Sequence, residues 1–448
     1  MKKPFLYRPG GSLPEICFIL VLMTTMILSS CTTEPEPYSI MKFYGSTTVR
    51  NYSRSIYLIS FTSDSINPGA LIVRNGDILD IDGFPLVYTS KTGDSLNIKT
   101  DKNKCFVNGK LASVKIMKSD TAFNLLRDIS KSDLTGLSML TLECQIPDSI
   151  FQVLKEISAI RPDLSLAFGD ETNIPDTVLK MFSPKFLMIS GATSEKIRAI
   201  SGLSSPEALL IDFYDTPYNS PLPAIPSVKQ LILSIQDSPL PAGFLSENLQ
   251  LERLSVIAKG IFDLTETVFL KSLKELSIFE TDTIINQEQV KNFKNLESIS
   301  IMSENFKYDS SFDDIKNLRW ISFSSGVPQS DFEMFILKHP NLEVVEIIEN
   351  KDLSITETLL SLNKLYGLIL SENPKDQDSL NLLKNLKYLS IPERNPEEKR
   401  SIVDLQNSMP NTIIAANEGL CLGSGWLLLL FPAIIAFGLF FRSKSAGR

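Results

Sequence analysis

The chain has 448 residues, with 44 Lys and Arg against 52 Asp and Glu, a net charge of −8 and 43% hydrophobic residues. That length suits two to three ordinary domains, or one elongated repeat array with a small domain beside it. No run of Lys or Arg is long enough to follow a phosphate backbone, so nucleic acid is not an expected partner.

The N-terminus, MKKPFLYRPGGSLPEICFILVLMTTMILSSC, sets Lys2, Lys3 and Arg8 ahead of an apolar run from Ile16 to Leu28, the build of a secretory signal. Its end, Leu28-Ser29-Ser30-Cys31, resembles a bacterial lipobox, which implies a signal over 1–31 and lipidation of Cys31. A plain signal peptide or signal anchor is the alternative. Residues 32–40 then read as a polar, Pro-containing tether.

Residues 41–116 have a β texture: SIYLISF, ALIVRNGDILDI, PLVYTS, SLNIKT and CFVNGKLASV are strand-like, and Asn108-Gly109 is a two-residue hairpin signal. This stretch reads as a small β-rich domain. SDTAFNLLRDIS follows within 117–136 as one capping helix, with Ser119 or Asp120 as its N-cap.

From 137 to 416 one phrase recurs: an apolar residue, a second three positions on and a third two after that. Its copies begin at 228 (VKQLIL), 251 (LERLSV), 273 (LKELSI), 296 (LESISI), 318 (LRWISF), 342 (LEVVEI), 365 (LYGLIL) and 386 (LKYLSI), spacings of 21 to 24 residues. Weaker copies begin at 137 (LSMLTL), 161 (RPDLSL), 184 (PKFLMI), 206 (PEALLI) and 410 (PNTIIA), for about thirteen units. Between them, stretches such as DFEMFILKHPNL and DSLNLLKNL space apolar residues three or four apart, a helical or 3₁₀ pattern. A short strand and a helical return per unit resembles the leucine-rich-repeat family. The resemblance implies an α/β horseshoe with parallel strands on its concave face. The family's asparagine, sought eight positions after the leading residue, is present as Asn350 and Asn373 but replaced by Lys259, Thr281, Glu304, Gly326 and Arg394 elsewhere.

Side chains alternate along a strand. Leu254, Leu276, Ile299, Ile321, Val345, Leu368 and Leu389, with Val256, Ile278, Ile301, Phe323, Ile347, Leu370 and Ile391, therefore form two internal rows. The opposite, concave face carries Ser255, Ser277, Ser300, Ser322 and Ser390, flanked by Ile257, Phe279 and Met302 on one side and by Arg253, Glu275, Trp320 and Tyr388 on the other. An apolar and aromatic patch of that kind usually marks an interaction site. The expected ligand-binding residues are thus Arg253, Ser255, Ile257, Glu275, Ser277, Phe279, Ser300, Met302, Trp320, Ser322 and Tyr388, and the expected partner is a protein or peptide.

Gly419 to Phe441 contains no charged residue and is long enough to cross a bilayer. Arg442, Lys444 and Arg448 make 442–448 a basic cytoplasmic tail by the positive-inside rule. The span reads as a transmembrane helix, or as the hydrophobic part of a cleaved sorting signal. Residues 32–418 are then expected outside the cytoplasm, in a bacterial cell envelope.

Chemistry has few candidates. The single histidine, His339 in LKHPNL, reads as a turn residue and excludes a histidine-rich metal site. There is no Walker loop, no GxGxxG after a strand and no GxSxG elbow. No catalytic residue, metal or cofactor is expected. Of the five cysteines, Cys105 and Cys144 fall in the exported region, where one bridge between them is open. Tripeptides of Asp, Ser or Thr and a small apolar residue, as at 148, 176, 282 and 378, resemble an O-glycosylation acceptor of one bacterial phylum and equally suit turns and caps. The expectation is a non-catalytic envelope protein that binds a protein or peptide through the concave face; a self-associating structural or surface-layer component is the alternative.

Overall fold

The computed structural model describes residues 37–44, 47–54, 58–61, 69–89, 95–213, 218, 220–235, 240–303, 310–323, 327–348 and 353–417. The signal, Cys31, the apolar span 419–441 and the basic tail lie outside the described residues. Among the described residues no helix is long and apolar enough to cross a membrane.

The N-terminal strands are β1 (Ser39–Tyr44), β2 (Thr47–Asn51), β3 (Leu58–Phe61), β4 (Gly69–Val73), β5 (Ile78–Ile81), β6 (Phe84–Val87), β7 (Ser95–Asp101), β8 (Lys104–Val107) and β9 (Lys110–Ile116). The turn between β8 and β9 holds Asn108 at φ 52° and Gly109 at φ 76°, the two left-handed positions that Asn-Gly supplies. Helix α1 (Ser119–Ser130) follows. Its N-cap is Lys118, and Ser119, expected as a cap, instead donates its hydroxyl to the Gln145 carbonyl at 2.9 Å.

The repeated phrases become β10 (Met139–Leu142), β11 (Ser165–Phe168), β12 (Phe186–Ile189), β13 (Ala208–Asp212), β14 (Gln230–Ile235), β15 (Arg253–Ala258), β17 (Glu275–Thr281), β19 (Ser298–Ser303), β20 (Trp320–Phe323), β21 (Val344–Ile347), β22 (Gly367–Leu370), β23 (Tyr388–Pro392) and β24 (Ile413–Asn417). Two short extra strands, β16 (Ile261–Asp263) and β18 (Thr283–Ile285), pair beyond the main sheet. Each main strand is parallel to the next, with equivalent phrase positions opposite each other: Leu254 faces Leu276, which faces Ile299, then Ile321, Val345, Leu368 and Leu389. That row and the next are buried in one continuous core with Leu380, Leu359, Phe335 and Val290 of the return segments. Burying one such aliphatic side chain is worth about 1.5–3 kcal/mol. A single strand with its return has no partner for that face; stacking supplies one.

β9 is a rung too. It lies antiparallel to β8 and parallel to β10, with Val114 opposite Leu140 and Ile116 opposite Leu142. Its sequence, LASVKI at 111, obeys the same phrase, and α1 is the return that follows it. The sheet also continues the other way, from β9 through β8 and β7 to β1 and β4. The last strand, β24, lies against β4, so the two ends of the sheet meet.

Asparagines do cap neighbouring turns, one position before the leading residue or a little further upstream. Asn295 donates to Lys271 O at 3.0 Å, Asn317 to Lys294 O at 3.2 Å and Asn385 to Asn363 O at 3.3 Å. Asn248 is buried and bonds Leu222 O, Pro223 O and Ile225 N. Asn373 makes no such backbone bridge; its amide donates to Glu398.

Candidate functional site

Alternation along the strands puts one set of residues on the face opposite the core. In register, Gln230, Arg253, Glu275, Ser298, Trp320, Val344, Gly367 and Tyr388 form one inner row, and Ile232, Ser255, Ser277, Ser300, Ser322, Glu346, Ile369 and Ser390 the other. The expected ligand-binding residues are brought together here, on one face.

That face is not open. Strand β4 and the turns after β2 and β4 lie on it. Arg54 reaches Asp77 at 3.1 Å and Glu275 at 3.3 Å, donates to Ser298 at 3.4 Å and sits 4.9 Å from the Trp320 ring centroid. Arg74 binds Glu275 at 2.6 Å and Glu297 at 2.9 Å. Arg253 closes the network on Glu275 at 2.9 Å and on Asp77. Glu297 carries the network on to Arg319 at 3.9 Å and, through it, to Glu343 at 2.7 Å; the count balances, four arginines against four carboxylates. Burial works against charge at Asp77 and Glu275, but the guanidiniums outweigh it and hold both carboxyls below their usual range.

Two serines of the row meet backbone. Ser255 and Ser277 donate to the Ser53 carbonyl at 3.1 and 3.3 Å, and Gln230 donates to the Ser53 hydroxyl at 2.7 Å. Further along, Tyr388 donates its hydroxyl to Ala70 O at 2.7 Å. At Gly367 a β-carbon would stand 2.2 Å from Ile72 Cδ1, so the rung lacks a side chain where β4 presses on it. At the other end Ile78 packs in a cluster with Met139, Ala167, Phe186, Ala208, Leu210 and Ile232.

Each sequence-expected site residue is accordingly placed. Ser255, Glu275, Ser277, Phe279, Ser300, Met302, Trp320, Ser322 and Tyr388 are buried, and Arg253 and Ile257 half-buried. Phe279 and Met302, read as an exposed apolar row, pack with Ile348 and Ile257 in a small cluster of their own. The physical reason differs along the face: Phe279 and Met302 cover each other across neighbouring rungs, while over Ser255, Glu275, Ser277, Trp320 and Tyr388 the chain's own β segment supplies the surface that alternation alone leaves uncovered. Sequence reasoning missed Arg54, Arg74, Asp77, Glu297, Gly367 and Glu346. Gly367 carried a signal, being a glycine in the inner position of a strand phrase, whereas Arg54 and Arg74 carried none.

Other candidates resolve as structure. His339 caps the C-terminus of helix α5 (Gln329–Lys338; α2 is Phe151–Ile160, α3 Asp176–Met181 and α4 Ser194–Ile200) and stacks on Phe335 at 4.3 Å. Burial lowers it to about 4. A cavity of about 930 Å³ lies between α3 and α4, but Lys196 beside it spends its ammonium on the carbonyls of Gly169, Asp170 and Ser190. Cys105 and Cys144 are both buried, and no disulfide joins them. In the Asp-Ser/Thr tripeptides the third residue is core, as with Ile150, Val178, Ile284 and Leu380.

No family model and no curated protein matches the chain. Solved structures similar to it include an internalin, InlF, of Listeria monocytogenes, at 18% identity over 63% of this chain and 81% of that one, with a TM-score of 0.37. The TLR13–ssRNA13 complex is similar at 16% identity over 62% and 42%, TM-score 0.39. A circular leucine-rich-repeat protein is similar at 14% over 57% and 46%, TM-score 0.32. The chain spans less than half the length of the last two. All three TM-scores fall below 0.5, and the strand register above is what establishes the architecture. The fold is a leucine-rich-repeat solenoid. Its inner face is occupied by residues of the same chain.

Proposed function

We propose that this chain is a non-catalytic bacterial envelope protein, membrane-attached with residues 32–418 outside the cytoplasm, whose leucine-rich-repeat array holds a polypeptide. The observation that carries the reading is what lies on the inner face: a β-structured segment, bound by buried Arg–carboxylate pairs, an arginine over Trp320 and serine hydroxyls on its backbone. The array has the chemistry to bind protein, and the segment it binds is its own. An external protein partner is then met at the outer surface of a closed solenoid. The placement of the lone histidine in the core, stacked and neutral, supports a role without acid–base catalysis.

The closed sheet favours a second reading, a self-associating structural component, because joining both ends of the array makes a stiff body. Cross-linking the full-length protein in intact envelopes, followed by mass spectrometry, separates the two. Cross-links to one reproducible heterologous protein, at outer-surface residues, support partner binding. Cross-links only between copies of this chain support the structural reading. Heterologous cross-links at Ser255, Ser277 or Trp320 would overturn the occupancy of the inner face by the chain itself.

A further inference from the structure

Glu346 stands apart from the balanced network beside it. It lies in the inner row between Ser322 and Ile369, is 6% exposed, and its Oε2 has no hydrogen-bond partner among the described residues. The cation that faces it is Arg54, from the turn after β2, which is already shared between Asp77, Glu275 and the Trp320 ring. From the solenoid, the Ser322 hydroxyl on β20 and the Tyr388 phenol on β23 face it. With the four arginines of that network already matched by four carboxylates, a charged Glu346 is one buried anion too many.

We propose that Glu346 is a pH-sensitive element whose ionisation weakens the seating of the N-terminal β segment on the inner face of the solenoid. Burial raises the carboxyl to about 7, against the smaller opposing pulls of Ser322 and Arg54. A group raised in the closed state favours that state at low pH; its contribution is complete below the free value of 4.5, falls as pH rises and is gone above about 7. The segment is therefore held tightly in acid and loosened at neutral and alkaline pH. His339 does not compete as the origin, because it is the only histidine and is already neutral throughout this range.

Hydrogen exchange of the full-length protein between pH 5.5 and 8, corrected for intrinsic rates, tests this. Opening-limited amides of residues 51–54 and 70–78 are expected to exchange about tenfold faster at pH 8 than at pH 5.5 in the wild type. In E346Q, which keeps shape and removes the charge, the same amides should be slow and level across the range. Fluorescence of Trp320, recorded in a W426F background, should move with the wild-type amides and stay fixed in E346Q. A wild-type profile that is flat, or a pH dependence that persists in E346Q, overturns the proposal. The wild-type profile decides by itself if E346Q does not fold.

Discussion

Asp77 and Glu275 are the charges around which the inner face is organised, and their environment fixes how the protein responds to acid. Each is buried, so losing one arginine partner would leave an uncompensated charge, a defect that costs about 3–5 kcal/mol. Both carboxyls are held below their ordinary values in the folded chain. The unfolded chain therefore takes up protons first as pH falls, and the stability they contribute is present above about pH 4.5 and lost below it. His339 acts in the same direction. Its folded value near 4 lies under the free 6.5, so its share is present above pH 6.5 and is lost as pH drops toward 4. Glu346 opposes His339 between 4.5 and 7, which makes E346Q the informative background. In E346Q the urea midpoint should hold level from pH 8 to about 6.5 and decline steadily from there to pH 3. A midpoint that rises on acidification would contradict the buried network.

Among the elements, the rungs were legible in the sequence because their period is short and their two core positions repeat in every copy. LKELSI and LESISI show the register at a glance, and Leu276 against Ile299 is where that register puts them. LASVKI at 111 obeys the same rule but stands in a run of strand-like phrases, so periodicity of two hid periodicity of the repeat. The asparagine bridges escaped for a different reason: they sit ahead of the phrase, at Asn295, Asn317 and Asn385, instead of behind it. The occupant of the inner face was not legible at all. Arg54 and Arg74 meet partners more than 200 residues away, a distance over which no local pattern carries information.

Gly367 offers the element-scale test of that packing. A side chain there must displace Ile72 or move the strand, so Gly367→Ala should cost about 1–3 kcal/mol by overpacking. Combined with Ile72→Ala, the loss should be smaller than the sum of the two single losses, by at least about 0.5 kcal/mol in a double-mutant cycle. Strictly additive losses in urea unfolding would mean that β4 does not rest on β22.

At the scale of the whole molecule, joining the ends changes what kind of object the repeat array is. An open solenoid is close to one-dimensional: each repeat touches only its neighbours, and the array can fray or unfold in sections. Here β4 lies against β24, β9 pairs with β10, and the N-terminal β segment, through Ser53 and Ala70, bonds rungs as far apart as Gln230 and Tyr388. Fraying from either end then breaks contacts made across the middle. A single cooperative transition is expected, with far-UV circular dichroism and Trp320 fluorescence, again in W426F, giving coincident urea curves. Two separated transitions would show an array that unfolds independently of its β segment.

The hydrogen bond from Tyr388 to Ala70 spans 318 positions of chain. Ala70 precedes Tyr388 into whatever compartment the chain folds in, so the β segment waits with Arg54 and Arg74 short of their solenoid carboxylates while rung after rung is added. Only the final strands supply its last partners. Closing so long a loop is entropically slow, and residues 69–78, though β4 can pair with β1, spend that interval with their solenoid-facing side uncovered. The protein is most vulnerable to aggregation and to proteases just before its last rungs join the sheet, and least so immediately after.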